Sequence, residues 1–232
     1  MIFNGTEKEY IRVRMELFRP PTPPIEFNTI ASAKGGSRVK KKRFTDATLP
    51  VPIRISSDRR IEELEEEMSA WLVHDEPKKL VFSGTPNRYY LAYYENMDLN
   101  IHTPYYATGY IYFYLPEAYR FGERKEINVT TSNATHTITG QTETPWSIQV
   151  NFTVPQSRFE IHASNGLNLQ LNYSFIAGDV LQIDYVGRKV TLNGNDLRSA
   201  VSMSSNFVEL DVGEVRLRAI HVCTLKYDEK YL

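Results

Sequence analysis

The sequence predicts a mainly β protein with one helix. It divides into an N-terminal α+β domain over residues 1–125 and a C-terminal β-sandwich over residues 126–232. Three observations predict this. Stretches such as residues 9–17 and 50–55 alternate apolar and polar side chains, the period of a half-buried strand. Only residues 58–73 hold helical spacing over several turns. After Glu126, short strand-like runs recur at roughly the 8–12-residue spacing of an all-β sandwich, with turn residues between them.

The first strand lies in EYIRVRMEL, residues 9–17, where Ile11, Val13 and Met15 alternate with Arg12, Arg14 and Glu16. Arg19-Pro20-Pro21-Thr22-Pro23-Pro24 follows, and its prolines forbid a helix and favour an extended path. Next comes SAKGGSRVKKKRF, residues 32–44. It carries Lys34, Arg38, Lys40, Lys41, Lys42 and Arg43 and no acid. Gly35-Gly36 supplies the positive-φ positions of a tight turn, so the cations are expected on a hairpin arm over residues 30–47, not on a helix. Residues 50–55 alternate again through Val51, Ile53 and Ile55.

The helix reads DRRIEELEEEMSAWLV. Ile61, Leu64, Met68, Trp71 and Leu72 share one face, and Ser57 or Asp58 is placed to cap the N-terminus. Glu62, Glu63, Glu65, Glu66 and Glu67 form an outer face expected to be solvated, aimed away from any catalytic cleft. Two strands follow at residues 79–83 and 88–94, joined by Gly84-Thr85-Pro86-Asn87, and a third, ATGYIYFYL, at residues 107–115. The polar segment 116–126 is read as the domain boundary. Beyond it, strands are expected at residues 135–139, 146–154, 158–163, 168–173, 179–186, 189–192, 207–212 and 214–225.

Composition narrows the function. The chain has 232 residues, 41% hydrophobic and 24% charged, with a formal net charge of −1. The basic run is therefore local, whereas a chain devoted to nucleic acid shows a basic excess across its domain. The single cysteine, Cys223, rules out an intrachain disulfide and reads as a packed core thiol. The first residues lack the apolar core of a signal peptide, and no apolar run approaches the ~18 residues that span a bilayer, so folding in a reducing cytosol and no membrane insertion are expected. The sequons at Asn4, Asn128, Asn133, Asn151 and Asn172 are read as chance. His74, His102, His136, His162 and His221 show no zinc-ligand spacing, and neither a phosphate-binding loop nor a nucleophile elbow occurs. No catalytic residue, metal or cofactor is expected.

Tyrosine is dense between residues 89 and 114: Tyr89, Tyr90, Tyr93, Tyr94, Tyr105, Tyr106, Tyr110, Tyr112 and Tyr114. A stacking surface for sugars or single strands is one reading. A sheet with one face on the helix and the other on a protein partner is the favoured one. Trp146 either packs in the second core or offers a sugar-stacking surface.

Several segments together resemble the distal tail protein (Dit) family of siphovirus tail components. Phe3-Asn4-Gly5 precedes the first strand, and the Pro-rich step, basic arm and Glu-rich helix follow in order. LVFSGTPNRYYLAYY is similar to a family hallmark through Leu80, Phe82, Pro86, Arg88, Tyr89, Tyr90 and Ala92. GDVLQIDYVGRKVTLNGNDL, residues 178–197, resembles the family's galectin-like half, followed by Asn206-Phe207-Val208-Glu209-Leu210 and Gly213.

The resemblance implies an N-terminal belt domain that forms a ring, with galectin-like sandwiches hanging outside it. The implied protein is a structural virion protein, not an enzyme. It builds a hexameric ring at the far end of a long non-contractile phage or prophage tail, and is assembled in the bacterial host cytoplasm. As a baseplate hub it joins the tail tube and major tail protein to tail-associated fibre or hub proteins and to receptor-binding proteins. The alternative is a carbohydrate-binding module acting in cell-wall adsorption. The family's sandwich is galectin-like in shape, and the sugar-binding residue pattern of galectins is missing here. In a ring, the arm has two readings. Its cations reach a neighbour's acids, Glu62, Glu63 and Glu66 among them, or they line a lumen through which DNA passes transiently. The first is preferred.

Overall fold

A computed structural model describes all residues 1–232, and the chain divides into two compact units, residues 1–121 with Leu232 and residues 122–231. The first unit holds β1 (Ile2–Phe3), β2 (Ile11–Val13), β3 (Ile25–Ala31), β4 (Ser37–Phe44) and β5 (Ala47–Ser56). A 3₁₀ turn (Ile61–Leu64) and α1 (Glu65–Leu72) follow, then β6 (Lys78–Val81), β7 (Tyr89–Thr103) and β8 (Tyr106–Leu115).

Its main sheet is antiparallel, in the order β2–β5–β8–β7–β6–β1. Alternation decides which side goes in. Val51, Ile53 and Ile55 of β5 and Ala107, Ile111 and Phe113 of β8 are fully buried, while Thr48, Pro50, Arg54, Tyr106, Tyr110 and Tyr114 stay exposed on the opposite face. Gly109 is required where β7 and β8 approach, because a Cβ there would overlap the Asp98 carbonyl.

The helix covers the inner face. Ile61, Leu64, Met68, Trp71 and Leu72 all enter the core with Phe3 and Phe113. Trp71 meets Phe3 edge-on at 6.1 Å, and its Nε1–H donates to the Phe3 carbonyl at 3.0 Å. This element is shorter than its sequence suggests: the first turn is 3₁₀, and Arg60 occupies the N-cap position without a side-chain cap. Ser57 instead accepts the Arg59 N–H at 3.1 Å, closing a local turn just ahead of the helix.

In the second unit, the segment expected to be a polar boundary is a strand, β9 (Arg120–Val129). Arg124, Glu126 and Asn128 are exposed on one side, and on the other Glu123 and Lys125, paired at 2.9 Å, precede Ile127 and Val129, so charges on both sides hide the alternation of a strand. After it come β10 (Ala134–Ile138), β11 (Trp146–Asn151), β12 (Gln156–Ala163), β13 (Asn168–Phe175), β14 (Val180–Asp184), β15 (Lys189–Leu192), β16 (Asn195–Asp196), β17 (Gly213–Ala219) and β18 (Cys223–Tyr231). They form two sheets, β16–β15–β14–β11–β18–β9 and β10–β17–β12–β13. Ile148, Leu181, Ile183 and Leu225 of the first and Phe159, Ile161, Leu171 and Leu217 of the second share one core, which makes a β-sandwich.

Two expected strands differ. Residues 207–212 are irregular; the Trp146 Nε1–H donates to the Val208 carbonyl at 2.7 Å, and Leu210 makes only an isolated bridge to Thr144. Residues 214–225 are two strands, β17 in one sheet and β18 in the other, separated at residues 220–222.

Candidate assembly surfaces

The basic arm is a free-standing antiparallel hairpin, β3 with β4, hydrogen-bonded to no other strand. It begins at Ile25, five residues earlier than residue 30, because IEFNTIA carries enough β-branched and aromatic residues to pair along its length. Gly35 and Gly36 take φ of 94° and 76° and close the turn, with the Ser32 N–H donating to the Gly36 carbonyl at 3.0 Å. Every residue from Ile25 to Arg43 is exposed.

The register gives the hairpin two unlike faces. Ile25 pairs with Phe44, Phe27 with Lys42 and Thr29 with Val39 on one side; Glu26 pairs with Arg43, Asn28 with Lys41 and Ile30 with Arg38 on the other. A bulge between Asn28 and Thr29 leaves Lys40 as the extra residue, beside Lys41 opposite Asn28. Without it, Val39 would sit on the cationic side. The result is one face bearing Ile25, Phe27, Thr29, Val39, Phe44 and a single cation, Lys42, and one face bearing Arg38, Lys40, Lys41 and Arg43 with Glu26 and one apolar residue, Ile30. Phe27 and Val39 are 53% and 54% exposed. Lys42 Nζ lies 5.4 Å from the Phe44 ring centre, and Arg43 is paired with Glu26 at 2.6 Å. Lys34 sits in the turn, away from both faces.

The hallmark segment forms a socket for the root of this arm. Phe82 and Tyr90 are buried and meet edge-on at 6.5 Å. Arg19, at the start of the Pro-rich step, lies over the Phe82 ring at 5.2 Å and donates to Thr85 Oγ1 at 2.8 Å. Pro20, Pro23 and Pro24 then run along Tyr90, Leu115 and Ala118. Pro86 is exposed in the β6–β7 turn, where the Arg88 N–H donates to the Thr85 carbonyl at 3.1 Å. Tyr89 lies under Lys79 Nζ at 4.3 Å and stacks on Phe121 at 5.7 Å. These residues hold a turn and a stem.

The tyrosines fall on both sides of the sheet. Tyr90 is core; Tyr110, Tyr112 and Tyr114 line the outer face of β8, with Tyr110 and Tyr112 ring centres 6.2 Å apart. Sequence reasoning missed the acids among them. Asp98 lies near the Tyr112 hydroxyl and Asp46 near that of Tyr114, and Glu95 accepts the Thr48 hydroxyl at 2.9 Å. Desolvation, then the neighbouring carboxylates, push the Tyr112 and Tyr114 phenols above the usual tyrosine value. The acids come from two separate stretches of chain, and only the strand register brings them together. None has a cationic partner within the chain.

The acidic helix face is not uniformly free. Glu67 accepts from Lys8 at 2.8 Å, from Tyr10 at 3.2 Å and from Arg59 at 3.1 Å. The Lys8 bond, followed by that from Arg59, holds its carboxyl below the ordinary range, whereas burial and Glu67 push the Tyr10 phenol up to about 12. Glu62 pairs with Arg60 at 3.5 Å. Glu63, Glu65 and Glu66 are exposed and carry no ion pair.

In the second unit, Trp146 is 3% exposed and stacked against Phe207 at 6.1 Å, so it offers no ring to a sugar. Cys223 is buried, and desolvation pushes its thiol up to about 12. No cluster of three or more His, Cys, Asp or Glu is placed to hold a metal ion.

Comparison with known proteins places both units. Residues 3–115 match the family described as phage tail protein RIFT-related domain, and residues 139–231 match the siphovirus-type tail component, C-terminal domain. The distal tail protein of Bacillus phage SPP1 is 29% identical over 180 residues, 75% of this chain and 69% of that protein. The crystal structure of the SPP1 protein, described as a paradigm of the hub adsorption apparatus in phages infecting Gram-positive hosts, superposes with a TM-score of 0.86. It is 21% identical and covers 100% of this chain and 98% of that one. A chain of the phage p2 baseplate in its activated conformation with calcium gives a TM-score of 0.55 at 7% identity, over 95% of this chain and 90% of that one.

Proposed function

Because the chain belongs to the siphovirus-type tail-component family, we propose that it forms a hexameric ring at the distal end of a long non-contractile tail. Family membership makes it a structural tail protein, not an enzyme. In this reading the N-terminal unit builds the ring and the sandwich is carried outside it. The ring joins the major tail protein on one side to tail-associated and receptor-binding proteins on the other. The observation that carries the reading is the match of both units to tail-component families, combined with a basic hairpin that pairs with no other strand of its own chain.

A hairpin of two strands is at best marginally stable alone, so a neighbour that covers it supplies what its own core does not. Each copy gives one arm and receives one, a head-to-tail contact that closes into a ring when the rotation allows. Transient contact with DNA in the lumen is one role open to the arm's cations; the alternative, a landing on the unpaired Glu63, Glu65 and Glu66 of a neighbour's helix, predicts that neutralising those acids weakens the ring.

Light scattering and negative-stain micrographs of the purified chain test the reading. A closed ring, alone or on addition of tail partners, is expected. A chain that stays monomeric at tens of micromolar, with no ring when partners are added, overturns it.

A further inference from the structure

The apolar face of the arm is left over by the electrostatic account. Lysines and arginines need only water on one side of a hairpin, yet here Ile25, Phe27 and Val39 are gathered on the other above Phe44, whose ring rests edge-on against Tyr119 at 5.5 Å, and the bulge at Lys40 keeps Val39 on that side. An exposed apolar face of this kind marks an interaction surface. The free helix acids Glu63, Glu65 and Glu66 offer it charge and no apolar area, because Ile61, Leu64, Met68, Trp71 and Leu72 are all turned into the core.

The outer face of β5–β8–β7 has the complementary make-up. Tyr112 and Tyr114 lie beside the exposed Pro50 and Thr48 of β5 in the register of the sheet, and Tyr110 beside the buried Pro52. Asp46, Glu95 and Asp98 ring them without a cation. The arm presents one cation, Lys42, in the middle of its apolar face, next to Phe27 across the strands and Phe44 along its own. The geometry points to the apolar face of the arm docking on the tyrosine face of a second copy of this chain, with Lys42 set among Asp46, Glu95 and Asp98. Tyrosines suit that role, with apolar bodies for Phe27 and Val39 and ring faces for an ammonium.

This assignment rests on the ring reading and divides the basic run into two jobs. Lys42 belongs to the subunit contact. Arg38, Lys40 and Lys41 are turned away from it by the register and stay free for the lumen or solvent. At roughly 3.3 Å per residue, β4 gives the arm a reach of about 25 Å from its socket, enough to cross onto an adjacent subunit.

The test compares four variants of the full chain by analytical ultracentrifugation, with circular dichroism as the folding control. Phe27→Ser with Val39→Ser, and separately Lys42→Gln, are expected to weaken self-association by at least about tenfold, since both remove anchors from the centre of the contact. Lys40→Gln with Lys41→Gln, and Glu63→Gln with Glu65→Gln and Glu66→Gln, are expected to leave it unchanged. A second measurement mixes Phe27→Cys chains with Tyr112→Cys chains under oxidising conditions. A mixed disulfide dimer is expected only in the mixture, since Cys223 is buried. Oligomers that survive the Phe27/Val39 pair, or that dissolve with the helix-acid triple variant, overturn this docking and leave the ring reading standing. A wild-type chain that never associates overturns the ring reading itself.

Discussion

Two hairpins of this chain have nearly the same length and opposite fates. β3 and β4 hold 7 and 8 residues, β12 and β13 hold 8 each, and each pair contains one register shift. In β12–β13, Phe159, Ile161, Leu169 and Leu171 are fully buried beneath a second sheet. In β3–β4, Phe27, Ile30 and Val39 are more than half exposed. Local sequence makes a hairpin in both places. What differs is whether the chain itself provides a surface for the apolar side, and only for the first of these does it do so.

Hydrogen exchange should show the difference most strongly. Amides of β12–β13 open only with the sandwich, so their protection should exceed that of the arm by roughly a thousandfold or more. In a monomeric preparation, arm amides should exchange near the rate of unstructured peptide; in an oligomer they should slow while those of β12–β13 stay the same. Equal protection of the two hairpins in the monomer would break the comparison.

Truncation gives the next largest effect. Phe159→Ala opens a cavity at a fully buried site and should cost about 3–5 kcal/mol. Phe27→Ala removes a ring already in water and should change monomer stability by less than about 0.5 kcal/mol. Urea unfolding of both variants checks the pair. A large monomer effect at Phe27 would mean that the arm folds back on its own chain.

The same contrast explains what could be read from the sequence. Elements whose alternation faces one core, such as β5 and β8, were legible because period-2 burial leaves a direct trace. β9 was not, since Glu123 and Lys125 stand on the same side as Ile127 and Val129 and break the apolar alternation. The irregular stretch at residues 207–212 resembles a strand because Phe207 and Leu210 are apolar for other reasons: Phe207 stacks on Trp146 and Leu210 fills the sandwich core. Of the surfaces, the run of cations was plain, and the hallmark segment was found without its purpose as a socket for Arg19. The two-sidedness of the arm was hidden, because one bulge decides which side Val39 takes. The acids beside the tyrosines were hidden too, since a sheet register and not a sequence spacing assembles them.

The smallest effect separates the helix acids from one another. Glu67 is held below the ordinary carboxylate value of 4.5, chiefly by the Lys8 hydrogen bond. A carboxyl lowered on folding contributes stability that is fully present above about 4.5 and is lost as pH falls through its folded value. The contribution is modest, because the Glu67 side chain is 37% exposed and solvent screens the pair. Glu67→Gln should therefore cost below about 1 kcal/mol at pH 7 and flatten the acid limb of the stability profile below about pH 4.5. Glu65→Gln and Glu66→Gln, on the same helix and without ion-pair partners, should leave the unfolding midpoint at pH 7 unchanged. If instead all three substitutions lower the midpoint alike, the tie of Glu67 to Lys8 contributes nothing of its own.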